Sequence, residues 1–272
     1  MDHFLYRDGI LHAEDVPLSE IARTVGTPAY VYSAATLLRH FRLFDEALAW
    51  GPHLVCYAVK AASNVAILKL LGDAGAGMDV VSEGEYRRAR AAGIPPDRIV
   101  FSGVGKTAAE MRHVLREGVR QINLESEPEM RLLSRVASEL GVEVPVTVRV
   151  NPDVDARTHE KIATGKSDNK FGIPISRARA VYAEIATLQL TDLEPFRLAY
   201  RKVADLTEVL RADGHAIERL DLGGGLGIPY ARSNLAPPVP LEYGRVIREE
   251  VGHLGCEIEI EPGRLIAGNA GI

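Results

Sequence analysis

The sequence predicts an α/β fold, a (β/α)8 barrel of the TIM type with parts of a flanking β domain. The first observation is a rhythm of short apolar runs, which begin every 21 to 24 residues from Leu54 to Pro145. The second is that helix start and stop signals follow each of the first four runs. Repeated strand–helix units of this size indicate a parallel sheet with helical crossovers. Doubly wound sheets share the pattern, and the number of units favours the barrel.

The bulk composition is that of an ordinary soluble globular protein. Of the 272 residues, 46% are hydrophobic and 25% charged, and the formal net charge is −5. This charge gives no electrostatic reason to expect nucleic acid or an anionic membrane as a partner. No apolar run approaches the roughly 18 residues that a membrane span needs. The mixed, acidic first residues do not resemble a signal peptide.

Two isolated cysteines, Cys56 and Cys256, lie in apolar surroundings typical of strands. The sequence has no CxxC pattern and no metal-ligand spacing. We therefore predict two reduced core cysteines, no metal site and a cytoplasmic protein.

The elements divide the chain into three parts. Residues 1–32 predict short strands and turns of a β domain, followed by a helix that Ser33 caps. Residues 33–262 predict the barrel, and residues 263–272 begin a C-terminal β domain. A pair of strands without a partner sheet cannot bury its faces, so the two ends are interpreted as pieces of one incomplete domain.

Helix boundaries are marked clearly in the first half of the barrel. Three capping boxes start helices, and a glycine follows the last turn of each. The boxes are Ser82 with Glu85, Thr107 with Glu110 and Ser126 with Glu129, and the glycines are Gly93, Gly118 and Gly141.

The sixth strand of the barrel is missing from this pattern. After the strand at 145–150, the next clear strand is 219–222, about 74 residues later. A long loop at 151–174 and two helices, at 176–188 and 192–212, occupy the interval. Deleting one internal strand should destabilise a barrel severely, because closure fixes strand number, tilt and shear together.

Lys60 closes an apolar run at the point where a buried strand would end. The ordinary explanation is a lysine that extends to solvent just past the strand. The alternative is an amine at the open end of a barrel that forms an imine with a carbonyl cofactor. Lys60 alone favours the ordinary explanation, so the rest of the chain must decide.

The glycine run Gly223-Gly224-Gly225 follows the strand at 219–222. It is either a plain turn or an anion nest whose N–H groups converge on a phosphate. Loops after the seventh and eighth strands of such barrels often bind phosphate, and this strand is the seventh if the missing one is counted.

The motif Glu261-Pro262-Gly263-Arg264 follows the last strand. Glu261 and Arg264 either form a surface ion pair at a turn or belong to a site. In the second case Glu261 pairs with a protonated ring nitrogen, and Arg264 supplies a fixed fork for a phosphate or carboxylate.

Together these motifs describe a site for pyridoxal phosphate. Lys60 would hold the aldehyde carbon, and the glycine run would hold the phosphate. Glu261 would keep the pyridine nitrogen protonated, so that the ring accepts electrons from the Cα of an amino acid. All three motifs fall at one face of the predicted barrel, which favours the functional interpretation of each.

The segments that carry these motifs resemble diaminopimelate decarboxylases, group IV decarboxylases with the alanine-racemase-like barrel fold. The resemblance runs nearly from end to end, and its segments are YAVKAASN, GMDVVSEGE, FSGVGKT, INLES, VRVNPDVDARTHEKIATGKSDNKFGIP, TDLEPF, LDLGGGLGIPY and EPGR. The long loop segment and TDLEPF favour this family over ornithine or arginine decarboxylases.

The resemblance implies a role for individual residues. It makes Lys60 the Schiff-base lysine and places Asp79 near it, although a capping acid at a strand end explains Asp79 equally well. Arg264 would contact phosphate or substrate. His159 is a candidate general base, but the family places it on a loop, which favours a structural role. The cofactor-binding set that the resemblance implies is Lys60, Asp79, Gly223, Gly224, Gly225, Glu261, Gly263 and Arg264.

Two departures from the family pattern stand out. The family has a strand ending in His-Ile-Gly-Ser-Gln before TDLEPF. Here only Gln189 remains, joined directly to Leu188, so the histidine that stacks on the cofactor and the serine near the phosphate have no counterpart. The family also continues beyond EPGR into a β domain that completes the partner subunit's site. We therefore expect this sequence to be a subset of a longer protein or a truncated form.

The function predicted from this resemblance is the decarboxylation of meso-2,6-diaminopimelate to L-lysine and CO2, with pyridoxal phosphate as cofactor, in a homodimer. One alternative is a decarboxylase of another basic amino acid. A second is a non-catalytic homologue or fragment that binds the cofactor or a partner subunit without turnover. The presence of Lys60, Glu261 and the glycine run argues against a degenerate site. The missing strand and the missing C-terminal domain argue against activity of the 272-residue form.

Overall fold

The protein begins with a small antiparallel sheet. The computed structural model describes residues 3–151, 173–174, 194–228 and 238–272. The first elements are β1 (Phe4–Arg7), β2 (Ile10–Ala13), β3 (Val16–Pro17) and helix α1 (Leu18–Val25). The three strands pair in chain order.

The larger part of the chain alternates strands and helices. The further strands are β4 (His53–Ala58), β5 (Gly77–Val80), β6 (Ile99–Phe101), β7 (Gln121–Leu124), β8 (Val146–Val148), β9 (Val150–Asn151), β10 (Ile173–Pro174), β11 (Arg219–Asp221) and β12 (Glu257–Ile260). The further helices are α2 (Ala34–Leu48), α3 (Val65–Asp73), α4 (Glu83–Ala91), α5 (Ala108–Glu117), α6 (Glu127–Leu140), α7 (Glu194–Ala212), α8 (Pro240–Val251) and α9 (Arg264–Ala267).

Seven parallel strands form a nearly closed barrel in the order β11-β12-β4-β5-β6-β7-β8. The last strand of the barrel lies beside its first, with Ile258 opposite His53 and Ile260 opposite Val55. This pairing brings the carboxyl ends of β4 and β12 together. The predicted (β/α)8-type architecture is confirmed.

Strands β8 and β11 are the two edges of this sheet. Within the described ranges no strand pairs with the outer edge of either one. The place of the predicted missing sixth strand lies outside these ranges, so its absence stays a prediction. The short strand β10 instead pairs with β9, Ile173 lying opposite Val150. The junction of Leu188 with Gln189, the predicted helix at 176–188 and His159 lie outside the described residues.

The predicted helix signals are confirmed in position but only partly in detail. Ser82, Thr107 and Ser126 each accept a backbone hydrogen bond at a helix start. Only Thr107 forms the reciprocal box with its acidic partner. The carboxylates of Glu85 and Glu129 instead accept from backbone N–H groups of Val81 and Glu125, one residue before each cap.

The glycine stops behave as predicted. Gly93, Gly118 and Gly141 all have positive φ, at 89°, 81° and 67°. This conformation ends a helix at little cost only when the residue lacks a Cβ.

The N-terminal segment contains more than the strands and turns that the sequence predicts. Residues Leu18–Val25 form α1, whose apolar side chains recur at helical spacing. Farther on, Tyr32 forms an isolated antiparallel bridge with Gly271. The two ends of the chain therefore meet beside the barrel.

Strands and helices bury a single continuous core. All four residues of β5 and of β7 are buried, as expected for strands covered on both faces. Helices α2, α7 and α8 pack on one side through aromatic rings of Phe44, Phe196 and Tyr243. No helix in the described ranges is long and apolar enough to cross a membrane.

Candidate functional site

Lys60 lies directly after β4, in a short 3-10 turn formed by Val59–Ala61. Its Nζ donates a hydrogen bond to Oδ2 of Asp79, 3.3 Å away. The lysine side chain is 58% exposed, whereas that of Asp79 is fully buried. The amine therefore stands at the open mouth of the barrel and is tethered to an acid within the wall.

Asp79 comes from the adjacent strand β5, where the parallel register sets it opposite Ala58. Its negative charge, with a smaller contribution from Glu261, raises the pKa of Lys60. The other oxygen of Asp79, Oδ1, is buried and has no hydrogen-bond partner among the described residues. Asp79 thus faces the lysine directly.

The glycine run lies beside Glu261. Gly223 and Gly225 have φ of 67° and 105°, a conformation that favours residues without a Cβ. A Cβ on Gly224 would come within 2.3 Å of the backbone oxygen of Glu261. The backbone N–H of Glu261 also donates to the oxygen of Gly223, at 2.7 Å. The loops that follow β11 and β12 are therefore in direct contact.

Glu261 is partly buried and hydrogen-bonded inside the barrel mouth. Its Oε1 accepts from the hydroxyl of Ser102 at 3.2 Å and from Nδ2 of Asn123 at 3.1 Å. Burial first, then the negative charges of Asp221 and Asp79, raises the pKa of Glu261 well above its ordinary value.

Gly263, two residues after Glu261, packs against the turn that carries Lys60. A Cβ on Gly263 would lie 3.1 Å from the Cβ of Ala58 and 3.2 Å from that of Ala61, on either side of Lys60. The backbone oxygen of Pro262 accepts from the N–H of Ala58 at 3.3 Å. Arg264 follows as the first residue of α9. The EPGR segment thus packs on the turn that carries Lys60.

A set of polar residues that the sequence patterns did not indicate supports this mouth. Asp221 accepts from the backbone N–H of Gly223 at 2.9 Å and from Nδ2 of Asn123 at 3.0 Å. Arg149 and Glu125 form an ion pair at 3.0 Å near Lys60. A sequence signal did exist, because single polar residues interrupt apolar barrel strands at their carboxyl ends.

These residues fit pyridoxal phosphate. The buried, unpartnered Oδ1 of Asp79 suits a site that holds a cationic group. The close approach at Gly224 shows that this position of the loop requires glycine. The described residues contain no cluster of His, Cys, Asp or Glu arranged to hold a metal ion.

Comparison with known families gives a match over most of the chain. The model of the "pyridoxal-dependent decarboxylase, pyridoxal binding domain" matches residues 34–268. The diaminopimelate decarboxylase of Vibrio cholerae is 48% identical, over 100% of this chain and 69% of its own length. That of Pseudomonas aeruginosa is 49% identical, over 100% and 68%.

Solved structures agree. Diaminopimelate decarboxylase from M. jannaschii, in complex with L-lysine, has a TM-score of 0.90 at 33% identity, over 99% of this chain and 68% of the other. The enzyme from Helicobacter pylori, also with L-lysine, has a TM-score of 0.86 at 36% identity, over 93% and 68%. A lysine decarboxylase from Selenomonas ruminantium has the same fold at 19% identity, with a TM-score of 0.83 over 99% and 69%.

Proposed function

Because the chain belongs to the pyridoxal-dependent decarboxylase family, we propose that it decarboxylates meso-2,6-diaminopimelate to L-lysine and CO2. Pyridoxal phosphate is its cofactor. The observation that carries the chemistry is the ion pair of Lys60 with Asp79 at the same barrel mouth as Glu261 and the glycine run.

The substrate follows from similarity along the chain. Identity of 48–49% to diaminopimelate decarboxylases covers its full length. The lysine and lysine/ornithine decarboxylases share only 18–20% identity, which supports the fold alone. A decarboxylase of another basic amino acid is therefore the weaker alternative.

Lys60 is the residue that would hold the aldehyde carbon of the cofactor. Asp79 keeps its amine at the barrel mouth. Since the charge of Asp79 raises the pKa of Lys60, the side chain carries a proton whenever it is not covalently engaged. When it is not bound to the cofactor, the ammonium of Lys60 would be a proton source inside the site.

The remaining residues bind and orient. Backbone N–H groups of Gly223–Gly225 would hold the phosphate, as in other anion nests. Glu261 would pair with the ring nitrogen, and Arg264 would contact the phosphate or the substrate. When bound, pyridoxal phosphate supplies a sink for the electron pair left on Cα as CO2 departs.

The test is CO2 release from meso-diaminopimelate by the 272-residue chain reconstituted with pyridoxal phosphate. We expect release from this substrate, and at least about 100-fold lower kcat/KM with L-ornithine, L-arginine or L-lysine. Equal or faster release from one of these would replace the substrate assignment. Cofactor binding without release from any of them would support the non-catalytic alternative.

Assembly, location and domain division belong to the same proposal. We propose a cytoplasmic homodimer, in which residues 1–32 and 263–272 contribute to a β domain beside the barrel at 33–262. Hydrogen bonds between the backbones of Val31 and Ile272 support the pairing of the two ends. Sedimentation equilibrium tests the dimer, and fractionation of the source cells tests the location.

A further inference from the structure

A layer of polar side chains runs through the interior of the barrel. Arg219 of β11 donates a hydrogen bond to Oε1 of Gln121 on β7, at 3.4 Å. Asn123, two residues farther along β7, donates to Oδ2 of Asp221 on β11, at 3.0 Å. These two strands are not neighbours in the sheet, so the contacts lie inside the barrel, where branched apolar residues are usual. Buried polar groups need partners, and these groups provide them for one another.

The amide of Gln121 has a defined orientation in this layer. A guanidinium group can only donate hydrogen bonds, so the oxygen of Gln121 must face Arg219. Nε2 of Gln121 then donates to Oδ1 of Asn123, at 3.0 Å. The donor end of the Asn123 amide is therefore directed away from Gln121.

Nδ2 of Asn123 faces three oxygens at the barrel mouth. It lies 3.0 Å from Oδ2 of Asp221 and 3.1 Å from both Oγ of Ser102 and Oε1 of Glu261. A flipped amide would turn its oxygen toward two carboxyl groups, which only accept when they are ionised. Partners on both sides thus fix the amide of Asn123 as a donor to these acids.

The carboxyl group of Glu261 receives two hydrogen bonds on one oxygen. Its Oε1 accepts from Nδ2 of Asn123 and from the hydroxyl of Ser102, at 3.2 Å. Hydrogen bonds donated to a carboxylate favour its ionised form. A protonated ring nitrogen needs this form as its partner, because a carboxylate only accepts. Asn123 and Ser102 therefore oppose the effect of burial on Glu261.

Charged and titratable groups of neighbouring elements also act on Glu261. They are Lys60, Cys56, Asp79, Asp221 and Tyr243. Lys60 favours ionisation of Glu261, and the two aspartates oppose it. Asn123 differs from all of these because its amide carries no charge at any pH. Its contribution as a donor is therefore constant throughout a titration.

We propose that Asn123 is a positioning residue for Glu261, whose carboxylate it holds in place and favours in the ionised form through an amide oriented by Gln121. The inference rests on the proposed function, since Glu261 is the acid assigned to the protonated ring nitrogen. The polar layer inside the barrel then has a role at the mouth, which is to prepare Glu261 as an acceptor.

The experiment is an infrared pH titration of the cofactor-free 272-residue chain, following the C=O stretch of protonated carboxyl groups. The band that Glu261→Gln removes reports on Glu261. Asn123→Leu keeps the approximate size of the side chain and removes the donor. We expect the midpoint of this band to rise by at least about one pH unit in Asn123→Leu, because a hydrogen bond to the charged form is lost.

Ile122→Val is the matched control on the same strand. Ile122 is buried in the hydrophobic core, and successive residues of a strand point to opposite faces. The change therefore loosens packing without removing a group of the polar layer. We expect its midpoint to stay within about 0.3 pH unit of wild type. Loosening that admits water would lower the midpoint, which is opposite to the change expected for Asn123→Leu.

A folded Asn123→Leu variant whose midpoint falls or stays constant would overturn the proposal, as would an equal rise in Ile122→Val. If Asn123→Leu does not fold, NMR of the wild-type chain decides. The Nδ2 protons of Asn123 should shift with pH at the midpoint of Glu261, and constant shifts across that midpoint would overturn the proposal. Neither measurement contains cofactor or substrate, so failure here is distinct from failure of the decarboxylation assay.

Discussion

The polar side chains of the barrel mouth acquire their charge states from one another. Asp79 holds Lys60 as an ammonium, and Asp221 opposes ionisation of Glu261. An acid with a raised pKa, Glu261, and a cation that interacts with it electrostatically, Lys60, both lie at the barrel mouth. Titratable groups whose surroundings shift their pKa values are typical of sites that transfer protons.

The stability of the cofactor-free chain should record the proton on Glu261. Below about pH 4.3, the ordinary carboxyl value, both folded and unfolded chains are protonated and its contribution is fully present. At higher pH the unfolded chain releases the proton while the folded chain retains it, since its pKa is raised. The free energy of unfolding should then decrease by up to about 1.4 kcal/mol per pH unit.

Glu261→Gln removes this dependence. Denaturant unfolding at several pH values should show the variant gaining stability relative to wild type between about pH 5 and 7. Parallel stability profiles of the two proteins over this range would contradict a raised pKa. The dependence belongs to the Asp221–Glu261 pair as a unit.

Sequence patterns predicted the residues with distinctive chemistry and missed those that support them. Lys60, Glu261 and the glycine run stand out because a lysine, an acid or three glycines at a strand end is unusual. Ser102 and Asn123 are ordinary polar residues in the sequence. They matter because both side chains hydrogen-bond to Glu261 across the barrel mouth. Which residues of different strands come into contact depends on strand register, and local sequence patterns do not show this register.

Loops at the mouth are held by contacts between elements. Lys106 is completely buried, and its Nζ donates to the backbone oxygens of Gly103 at 2.6 Å and Asn123 at 2.8 Å, and to Glu129 at 2.5 Å. It thereby ties the loop after β6 to strand β7 and helix α6. Because the side chain of Asn123 donates hydrogen bonds to Asp221 and Glu261, Lys106 stabilises the site through the backbone of Asn123.

Lys106→Met should destabilise the chain by about 3–5 kcal/mol, because Glu129 is left as a buried charge without its cation. The double variant Lys106→Met/Glu129→Gln should recover part of that loss. Urea unfolding of the single and double variants measures both. A single variant within about 1 kcal/mol of wild type would contradict this assignment.

The glycine run depends on the close approach of two loops. Gly224→Ala places a methyl group 2.3 Å from the backbone oxygen of Glu261. A hydrogen bond from the N–H of Glu261 to the oxygen of Gly223 holds the two backbones together at this point. We expect a loss of about 1–3 kcal/mol in stability and at least about tenfold weaker pyridoxal phosphate affinity.

Gly51→Ala is the matched control for this change. A Cβ on Gly51 meets nothing within 4 Å, and its φ does not lie in the left-handed region. Equilibrium binding and urea unfolding should leave this variant close to wild type. Equal effects of the two substitutions would show that the contact at Gly224 is unimportant.

At the scale of the molecule, strand–helix rhythm was sufficient to predict the barrel. The seven strands and their order follow from hydrophobic runs and cap residues. Helix α1 was missed because its eight residues follow short strands and lack a capping side chain. Pairing of Tyr32 with Gly271 joins residues 239 positions apart, and local patterns carry no information about such contacts.

Barrel closure between β4 and β12 is what assembles the site. Residues Lys60 and Glu261 are far apart in the sequence, and they meet because their strands are neighbours. Carboxyl ends of parallel barrel strands share one face, where active sites of this fold lie. The decarboxylase activity proposed for this protein therefore depends on Lys60 being the amine that holds the cofactor at that face.

The most direct test traps the cofactor on the chain. Borohydride reduction of the reconstituted protein, followed by peptide mass spectrometry, should place a single pyridoxyl group on Lys60, and Lys60→Ala should carry none. A label on another lysine, such as Lys69 or Lys202, or retention of the label in Lys60→Ala, would contradict the assignment.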